Sequence, residues 1–344
     1  MANILYGVSG EGSGHSSRSK EIISYLQKKH KVHVITYGKA YDYLSKYVNA
    51  TKIYGLHLSY KDNRVEYVET VKNNIINLFN SFSKFEDLRK LIKDFKPDVI
   101  FTDFEPTSCY ISQLYKIPLV SIDNQHRITN LDIKVPDKHK NDFNLCKFII
   151  NAIIPRADYY LVTSFFKEKI KEKNTFVFDP ILRSEVFKSK ASRKDHILVY
   201  QTSRSNKALF GELKKVKQKF IVYGFDKDKK EENVTFKKFS VKGFLDDLAS
   251  CKAVITNGGF TLITEALYFG KPILSQPVQG QFEQIINAYY LNKLGYGMHV
   301  DELGKKDIGL FLNNLKLYER NLRGYTANDN KRILRKIEGI LKKI

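Results

Sequence analysis

Tryptophan is absent from this chain of 344 residues, methionine occurs twice and cysteine three times. Cys109, Cys146 and Cys251 are widely spaced and form no C-x-x-C pair, so neither a disulfide framework nor a zinc site is indicated. No apolar run reaches membrane-spanning length; the longest, such as 147–154, is far too short. The N-terminus lacks the basic, apolar and small-residue succession of a secretory signal, and a cytoplasmic protein is expected. There is no G-K-[ST], which removes the P-loop. No His/Glu/Cys cluster has metal-ligand spacing, so no metal is expected. Asp226 and Asp228 make a D-x-D, but lysines flank it and a surface turn is the simpler reading. Acidic residues are in deficit, 37 against 58 basic, for a net charge of +21. Such charge attracts nucleic acid, anionic lipid or nucleotide phosphates; it also describes lysine spread over solvated helix faces. No motif of interleaved basic and aromatic residues accompanies it, so no nucleic-acid partner is expected. A hydrophobic content of 42% with 28% charged residues places the chain among ordinary globular proteins.

Strand and helix patterns alternate along the chain. Short apolar runs at 4–8, 32–36, 98–102, 118–122 and 159–163 read as strands. Between them, 16–29 has helical spacing at Ile22, Ile23 and Leu26, and 67–95 reads as a long helix broken near Asn80. The pattern restarts with strands at 197–201, 220–223, 235–239, 253–255 and 272–274. The fold class expected is α/β, with two doubly wound, Rossmann-like domains. Their expected limits are 1–166 and 195–320, joined by a charged linker at 167–194 that contains Pro180. The remaining 321–344 carries apolar residues at Ile333, Leu334, Ile337, Leu341 and Ile344. That is a basic amphipathic helix, expected to pack back on the domains, with a membrane surface as the alternative.

Ligands of open α/β sheets bind at the carboxyl ends of the strands, and each candidate site sits at such an end. The most informative stretch is 257–288. A strand ends at Asn257, Gly258 and Gly259 follow, and a helix then carries Thr261 and one acid, Glu265. Glycines at a strand-to-helix turn let backbone N–H groups approach a phosphate. The acid, followed by Gln279, Gln281, Glu283 and Gln284, suits the hydroxyls of a ribose and a sugar. In the first domain, Gly10, Gly12 and Gly14 lead to His15 at the start of a helix. That G-x-G-x-G is not the dinucleotide fingerprint. His15 is either a general base, since histidine titrates near working pH, or a helix cap or phosphate ligand. Asp103 and Glu105 are either acids presented by a strand end or caps of the next helix. Asp123, Asn124, Gln125, His126 and Arg127 form a dense polar cluster, suited to an anionic acceptor or to developing charge. Gln201, Thr202 and Ser203 suit a diphosphate, or plain helix capping. Leu245 precedes Asp246 and Asp247, which read as the start of a helix, so its backbone is free to edge a nucleobase.

With these residues in hand, the chain resembles the GT-B glycosyltransferases, in particular uncharacterised archaeal and bacterial members of the MurG-like branch. The likeness covers most of the chain and is strongest over 243–288. It implies a two-domain fold facing across a cleft, with a nucleotide sugar, UDP-linked by first preference, on the second domain. Glu265 then meets the ribose, Gln281, Glu283 and Gln284 the sugar, and the Leu245 backbone the base. Gly12, Gly14, Glu105 and 124–127 fall on the acceptor side, His15 becomes the base, and the acceptor is a glycan or lipid-linked. Inverting, metal-independent transfer follows, with no cofactor beyond the donor and with contact to anionic lipid at the inner face of the cell membrane. The chain departs from MurG at Gln201-Thr202-Ser203, where MurG has glycines, and in a loop after Pro277 about one residue shorter. MurG-like nucleotide-sugar hydrolases share the pattern Gly12-Ser13-Gly14-His15-Ser16-Ser17-Arg18, so water is the rival acceptor. A sugar-nucleotide epimerase lacks its acid and histidine pattern here.

Overall fold

A computed structural model describes residues 1–55, 60–61, 64–65, 82–201, 207–326 and 329–344, with the backbone alone at 60–61, 64–65, 82–85 and 207–208. The chain divides into two compact units: Met1–Ser59, Glu66–Arg183 and Asn328–Ile344 form the first, Tyr60–Val65 and Ser184–Ala327 the second.

The first unit is built on β1 (Asn3–Val8), β2 (Lys31–Thr36) and β3 (Asn49–Lys52). A short antiparallel hairpin, β4 (Tyr60–Lys61) and β5 (Arg64–Val65), follows and is counted with the second unit. The sheet continues with β6 (Val99–Asp103), β7 (Leu119–Asp123), β8 (Tyr159–Thr163) and β9 (Thr175–Phe178). Its seven strands run in the order β3-β2-β1-β6-β7-β8-β9, and every pairing is parallel. Side chains alternate between faces along a strand, and β1 divides accordingly. Ile4, Tyr6 and Val8 enter one core, which holds the C-terminal helix, while Leu5 enters the other with Ile35 and Ile100. Both faces of the sheet are therefore covered, as a parallel sheet requires. The C-terminal helix Lys331–Leu341 lies on the first of these cores through Ile333, Ile337 and Ile340. Asn330 fixes its start with two bonds to the backbone of Leu182.

The second unit repeats the plan with β10 (Ile197–Tyr200), β11 (Phe220–Tyr223), β12 (Lys229–Glu231), β13 (Val234–Phe236), β14 (Ala253–Thr256), β15 (Ile273–Ser275) and β16 (Gly297–His299). The order is β12-β13-β11-β10-β14-β15-β16, parallel but for the antiparallel edge pair β12–β13. Strand order reverses between β1 and β6 in the first sheet and between β10 and β14 in the second. At such a point the loops leave in opposite directions and open a crevice at the strands' carboxyl ends.

The expected fold class holds. Several edges were not visible as strands in the sequence: β3, β12 and β16 are short and polar or glycine-containing, and β9 lies inside the charged stretch read as a linker. Edge strands carry little apolar alternation, because one flank meets solvent. Strands β6 and β7 end one residue later than expected, which makes Asp103 and Asp123 their last residues. Most of the expected 67–95 helix lies outside the described residues; the helix Phe82–Phe95 is its described part. Among the described residues no helix is long and apolar enough to cross a membrane.

Ile337 is fully buried in the first unit's core. Ile337→Ala should cost about 2–5 kcal/mol, read from denaturant unfolding. An unchanged midpoint would remove the C-terminal helix from that core.

Candidate active site

At the first crevice, β1 leads through Ser9 and Gly10 to Gly12, which caps helix Ser13–Leu26 with φ 73° and no side-chain hydrogen bond. Glycine takes that left-handed conformation without strain. The first-turn N–H groups of this helix consequently have no side-chain cap. Gly14 lies inside the first turn and His15 directly follows it. Arg18 falls three residues on, on the same helix face.

Both side chains turn to Asp103 at the end of β6. His15 Nδ1 lies 2.8 Å from Asp103 Oδ1. Arg18 donates from Nε to Oδ2 at 2.8 Å and from Nη2 to Oδ1 at 2.5 Å, and Ser19 Oγ donates to Oδ2 at 2.9 Å. Arg18 Nη1 reaches across to Asn124 Oδ1 at 2.5 Å. Asp103 is fully buried, whereas the His15 side chain keeps 13% of its surface exposed. Burial works against the Asp103 carboxylate, but the adjacent Arg18 and His15 outweigh it and hold the carboxyl below its usual range. The result is a histidine–aspartate pair whose aspartate is buried and multiply bonded and whose histidine still meets solvent.

A second such pair stands one strand over. Asp123 ends β7, and its Oδ2 lies 2.7 Å from His126 Nδ1 while Oδ1 accepts from the His126 backbone N–H. Ser121 Oγ also donates to Oδ2 at 2.6 Å. Burial again opposes the charge, and His126 more than compensates, lowering the Asp123 pKa. Here, however, the histidine is 2% exposed, its Nε2 has no hydrogen-bond partner, and its ring packs 4.8 Å from that of Tyr160. Arg127 is wholly buried, its guanidinium 5.5 Å from the centre of the Phe166 ring. Asn124 and Gln125 are buried as well. Arg127 therefore lies in the interior of the loop that the sequence assigns to the acceptor side. Of the two alternatives for Glu105, the structure shows the helix cap. Its two carboxylate oxygens accept the N–H groups of Thr107 and Ser108 at 2.8 and 2.7 Å, so it caps helix Pro106–Tyr115. Burial pushes its carboxyl up.

At the second crevice, β10 ends beside Gln201, which is 1% exposed and whose side-chain amide has no hydrogen-bond partner among the described residues. Thr202 and Ser203 lie outside the described residues. From β14 the chain turns through Asn257 and Gly258, at φ 98°, into helix Phe260–Tyr268, with Gly259 at its cap and no side-chain cap. A Cβ on Gly258 would sit 3.0 Å from the Gln284 carbonyl and 3.1 Å from Ser275 Oγ, so conformation and space both favour glycine there. A Cβ on Gly259 would meet nothing within 4 Å, which leaves the turn open on that side. Thr261 is half-buried in the first turn of the helix, and Glu265 is 1% exposed. Gln281 stands at the N-cap position of helix Phe282–Lys293 without a side-chain cap bond, and Glu283 lies in the first turn. Gln284 Oε1 accepts from Val278 N at 2.9 Å, and Asn287 Nδ2 donates to the Gly258 carbonyl at 2.8 Å. These bonds tie the polar loop to the glycine turn.

Leu245 is placed differently from expectation. Helix Val241–Ser250 starts at Val241 under a Ser240 cap, so Leu245 lies buried within it and not ahead of a helix beginning at Asp246. Asp247 is a packing partner, accepting from Tyr223 Oη and Lys237 Nζ at 2.6 Å each. Asp228 accepts from the Lys238 backbone across its turn. Among the described residues no group of three or more His, Cys, Asp or Glu is placed to hold a metal.

The profile described as Glycosyl transferase family 1 matches residues 2–316. The chain belongs to that family. It is 26% identical to an uncharacterized glycosyltransferase of Methanosarcina acetivorans, over 94% of this chain and 90% of the relative. It is 24% identical, over 88% and 90%, to the UDP-N-acetylglucosamine–N-acetylmuramyl-(pentapeptide) pyrophosphoryl-undecaprenol N-acetylglucosamine transferase of Thermosipho africanus. Among solved structures it is similar to Phytolacca americana UGT2 complexed with UDP-2fluoro-glucose and pterostilbene, with TM-score 0.71 at 14% identity over 100% and 99% of the chains. It is similar also to the Streptomyces sp. SF2575 glycosyltransferase SsfS6, complexed with thymidine diphosphate, with TM-score 0.66 at 16% identity over 98% and 100%. The fold of this glycosyltransferase is GT-B.

Sequence reasoning did not assign Arg18 or Asn287 a role, although each holds a site residue in place. The spacing His15-x-x-Arg18 was the signal available for the first, because it sets both on one helix face. For the second, the signal available was its place in the stretch of strongest likeness, 243–288.

Two predictions follow from the buried acids of this glycosyltransferase. Asp103→Ala leaves the Arg18 guanidinium buried without its carboxylate and should cost about 3–5 kcal/mol, measured by chemical denaturation; a loss under 1 kcal/mol would mean the pair is solvated. Asp103 and Asp123 have folded pKa values below their unfolded ones. Their contribution is complete above the ordinary carboxylate value of ~3.9 and disappears as pH falls through the lower folded values. Glu105, pushed up by burial, titrates earlier and in the opposite sense. Melting temperature should therefore fall steeply only on the acid side of pH ~4, and an Asp123→Asn variant should show a shallower fall.

Proposed function

We propose that this glycosyltransferase moves a sugar from a nucleotide sugar, UDP-linked by first preference, to a hydroxyl of a glycan or lipid-linked acceptor, with inversion and without a metal. The observation that carries the proposal is the pair of His15 and Asp103 at the first unit's switch point, with the histidine still accessible. Asp103 orients the ring, and His15 takes the proton of the acceptor hydroxyl as its oxygen attacks the anomeric carbon. The bond from that carbon to the β-phosphate oxygen breaks in the same displacement, which inverts the centre, and the nucleoside diphosphate leaves.

The second unit is the donor side of the proposal. The open turn at Gly258 and Gly259, with Thr261, offers uncapped helix amides to the diphosphate. Glu265 is assigned to the ribose, and Gln281, Glu283 and Gln284 to the sugar. Gln201, a buried amide without a partner among the described residues, borders the same strand ends. Support for a nucleoside diphosphate comes from the plant and Streptomyces structures, solved with a UDP-sugar analogue and with thymidine diphosphate. Support for a UDP-sugar with a lipid-linked acceptor comes from the Thermosipho relative's name. On the acceptor side stand Gly12, Gly14 and the loop of Asn124, Gln125 and His126. The net charge of +21 suits an acceptor borne on anionic lipid, at the inner face of the cell membrane.

A thermal-shift screen of nucleotide sugars tests the donor, since a ligand of the native state raises the melting temperature. Glu265→Gln should weaken UDP binding about tenfold by calorimetry, and unchanged affinity would take Glu265 out of the site. His15→Ala should lower turnover about 10²–10⁴-fold with donor affinity preserved; full activity would exclude it as base. Release of sugar from the donor without any added acceptor would replace transfer by hydrolysis, in which water meets the same base. Loss of activity in chelator would overturn the metal-independent step.

A further inference from the structure

A carboxylate has about four acceptor positions. In Asp103, three are filled by groups that can only donate here: Arg18 Nε and Ser19 Oγ on Oδ2, and Arg18 Nη2 on Oδ1. The fourth faces His15 Nδ1 at 2.8 Å. That nitrogen also lies 2.8 Å from Arg18 Nη2. A neutral imidazole carries its proton on one ring nitrogen, and the hydrogen bond made at that nitrogen decides which. The two neighbours of Nδ1 make opposite demands: the carboxylate wants a proton there, the guanidinium a lone pair.

The geometry decides between them. Nη2 already gives a proton to Oδ1 at 2.5 Å, so the guanidinium remains bonded when Nδ1 carries its own proton. A bare Nδ1 would instead set its lone pair against a carboxylate oxygen in a buried, poorly screened place. We propose that Arg18 is the positioning residue of this site: by gripping Asp103 with two donors it aims Oδ1 at Nδ1, fixes the His15 proton there and leaves Nε2 bare to accept a proton. The same guanidinium reaches Asn124 Oδ1, so the loop after β7 is held to the pair by one side chain. Arg18 is 5% exposed. Lysine supplies charge but not the planar fork that makes three bonds in fixed directions. The inference rests on His15 as the base, yet it concerns only where the ring proton sits.

The test is a two-bond 1H–15N correlation spectrum of the protein labelled with 15N-histidine, at mildly alkaline pH, with His15 assigned by its loss in His15→Gln. The expected spectrum shows a proton-bearing Nδ1 and a bare, pyridine-type Nε2. Arg18→Lys and Arg18→Gln, each confirmed as folded by thermal melting, should mix the two tautomers and lower turnover about 10- to 100-fold, with UDP affinity within about twofold. A wild-type His15 carrying its proton on Nε2 overturns the proposal. So does a folded Arg18→Gln that keeps the single Nδ1–H tautomer and full turnover. The wild-type spectrum needs neither a variant nor an acceptor: if glycosyl transfer is never found while Nδ1 carries the proton, the functional reading fails and the positioning role stands.

Discussion

A carboxylate removed from water loses its hydration, and the loss is several kcal/mol unless donors replace it. Asp103 meets that condition at the end of β6 with bonds from His15, Arg18 and Ser19, all on the helix that follows β1. The helix cannot shift along the sheet without stripping that charge of its partners. Its register over β1 and β6 is thus set by electrostatics as well as by Ile22, Ile23 and Leu26 in the core. The position of His15 follows from that register. The placing of the proposed base and the docking of the helix depend on the same bonds, which is why a change at Asp103 touches both.

The sheet supplies the place for this arrangement. β1 pairs with β2 on one side and β6 on the other, and Val8 stands opposite Asp103. The glycine turn after β1 and the acid at the end of β6 are thereby neighbours, although the chain separates them widely. β10 and β14 reproduce the relation in the second unit, where Tyr200 stands opposite Thr256. Gln201 and Asn257, the next residues, face the second crevice's strand ends together. Two domains with different side chains place their polar loops by one topological rule.

How much of this was legible in the sequence depended on range. Apolar runs such as 4–8 and 253–255 announced central strands, because both faces of a parallel sheet are buried. The glycines of 10–14 and 258–259 announced strand-to-helix turns, and His15 and Glu265 were legible as polar residues set in them. Edge strands were not, because solvent on one flank relaxes the pattern. The start of helix Val241–Ser250 was misplaced since Asp246 and Asp247 look like first-turn acids, while the true cap is Ser240. Glu105 shows the limit of composition: an acid after a strand is a cap or a site by its distance to N–H groups alone. The bond of Arg18 to Asp103 spans 85 positions, and no local pattern encodes it.

Among the described residues, the first unit holds two histidine–aspartate pairs with a buried aspartate and nearly equal geometry, at 2.8 and 2.7 Å, besides a more exposed one, His139 with Asp142, at 3.2 Å. Chemistry at the nitrogen bound to aspartate cannot tell them apart, so the distinction lies at the other nitrogen. A general base must meet the proton it removes within hydrogen-bond reach. The His15 side chain retains 13% exposure at the start of a helix whose first turn has no side-chain cap. The His126 side chain retains 3%, packed on Tyr160. The first is the one that the proposed mechanism uses as base. The second, with Ser121 and its own backbone N–H bound to the same carboxylate, closes the loop that Asn124 ties to Arg18. In the proposed assignment, side-chain accessibility, rather than the presence of a dyad, separates the base from the pair that braces the loop.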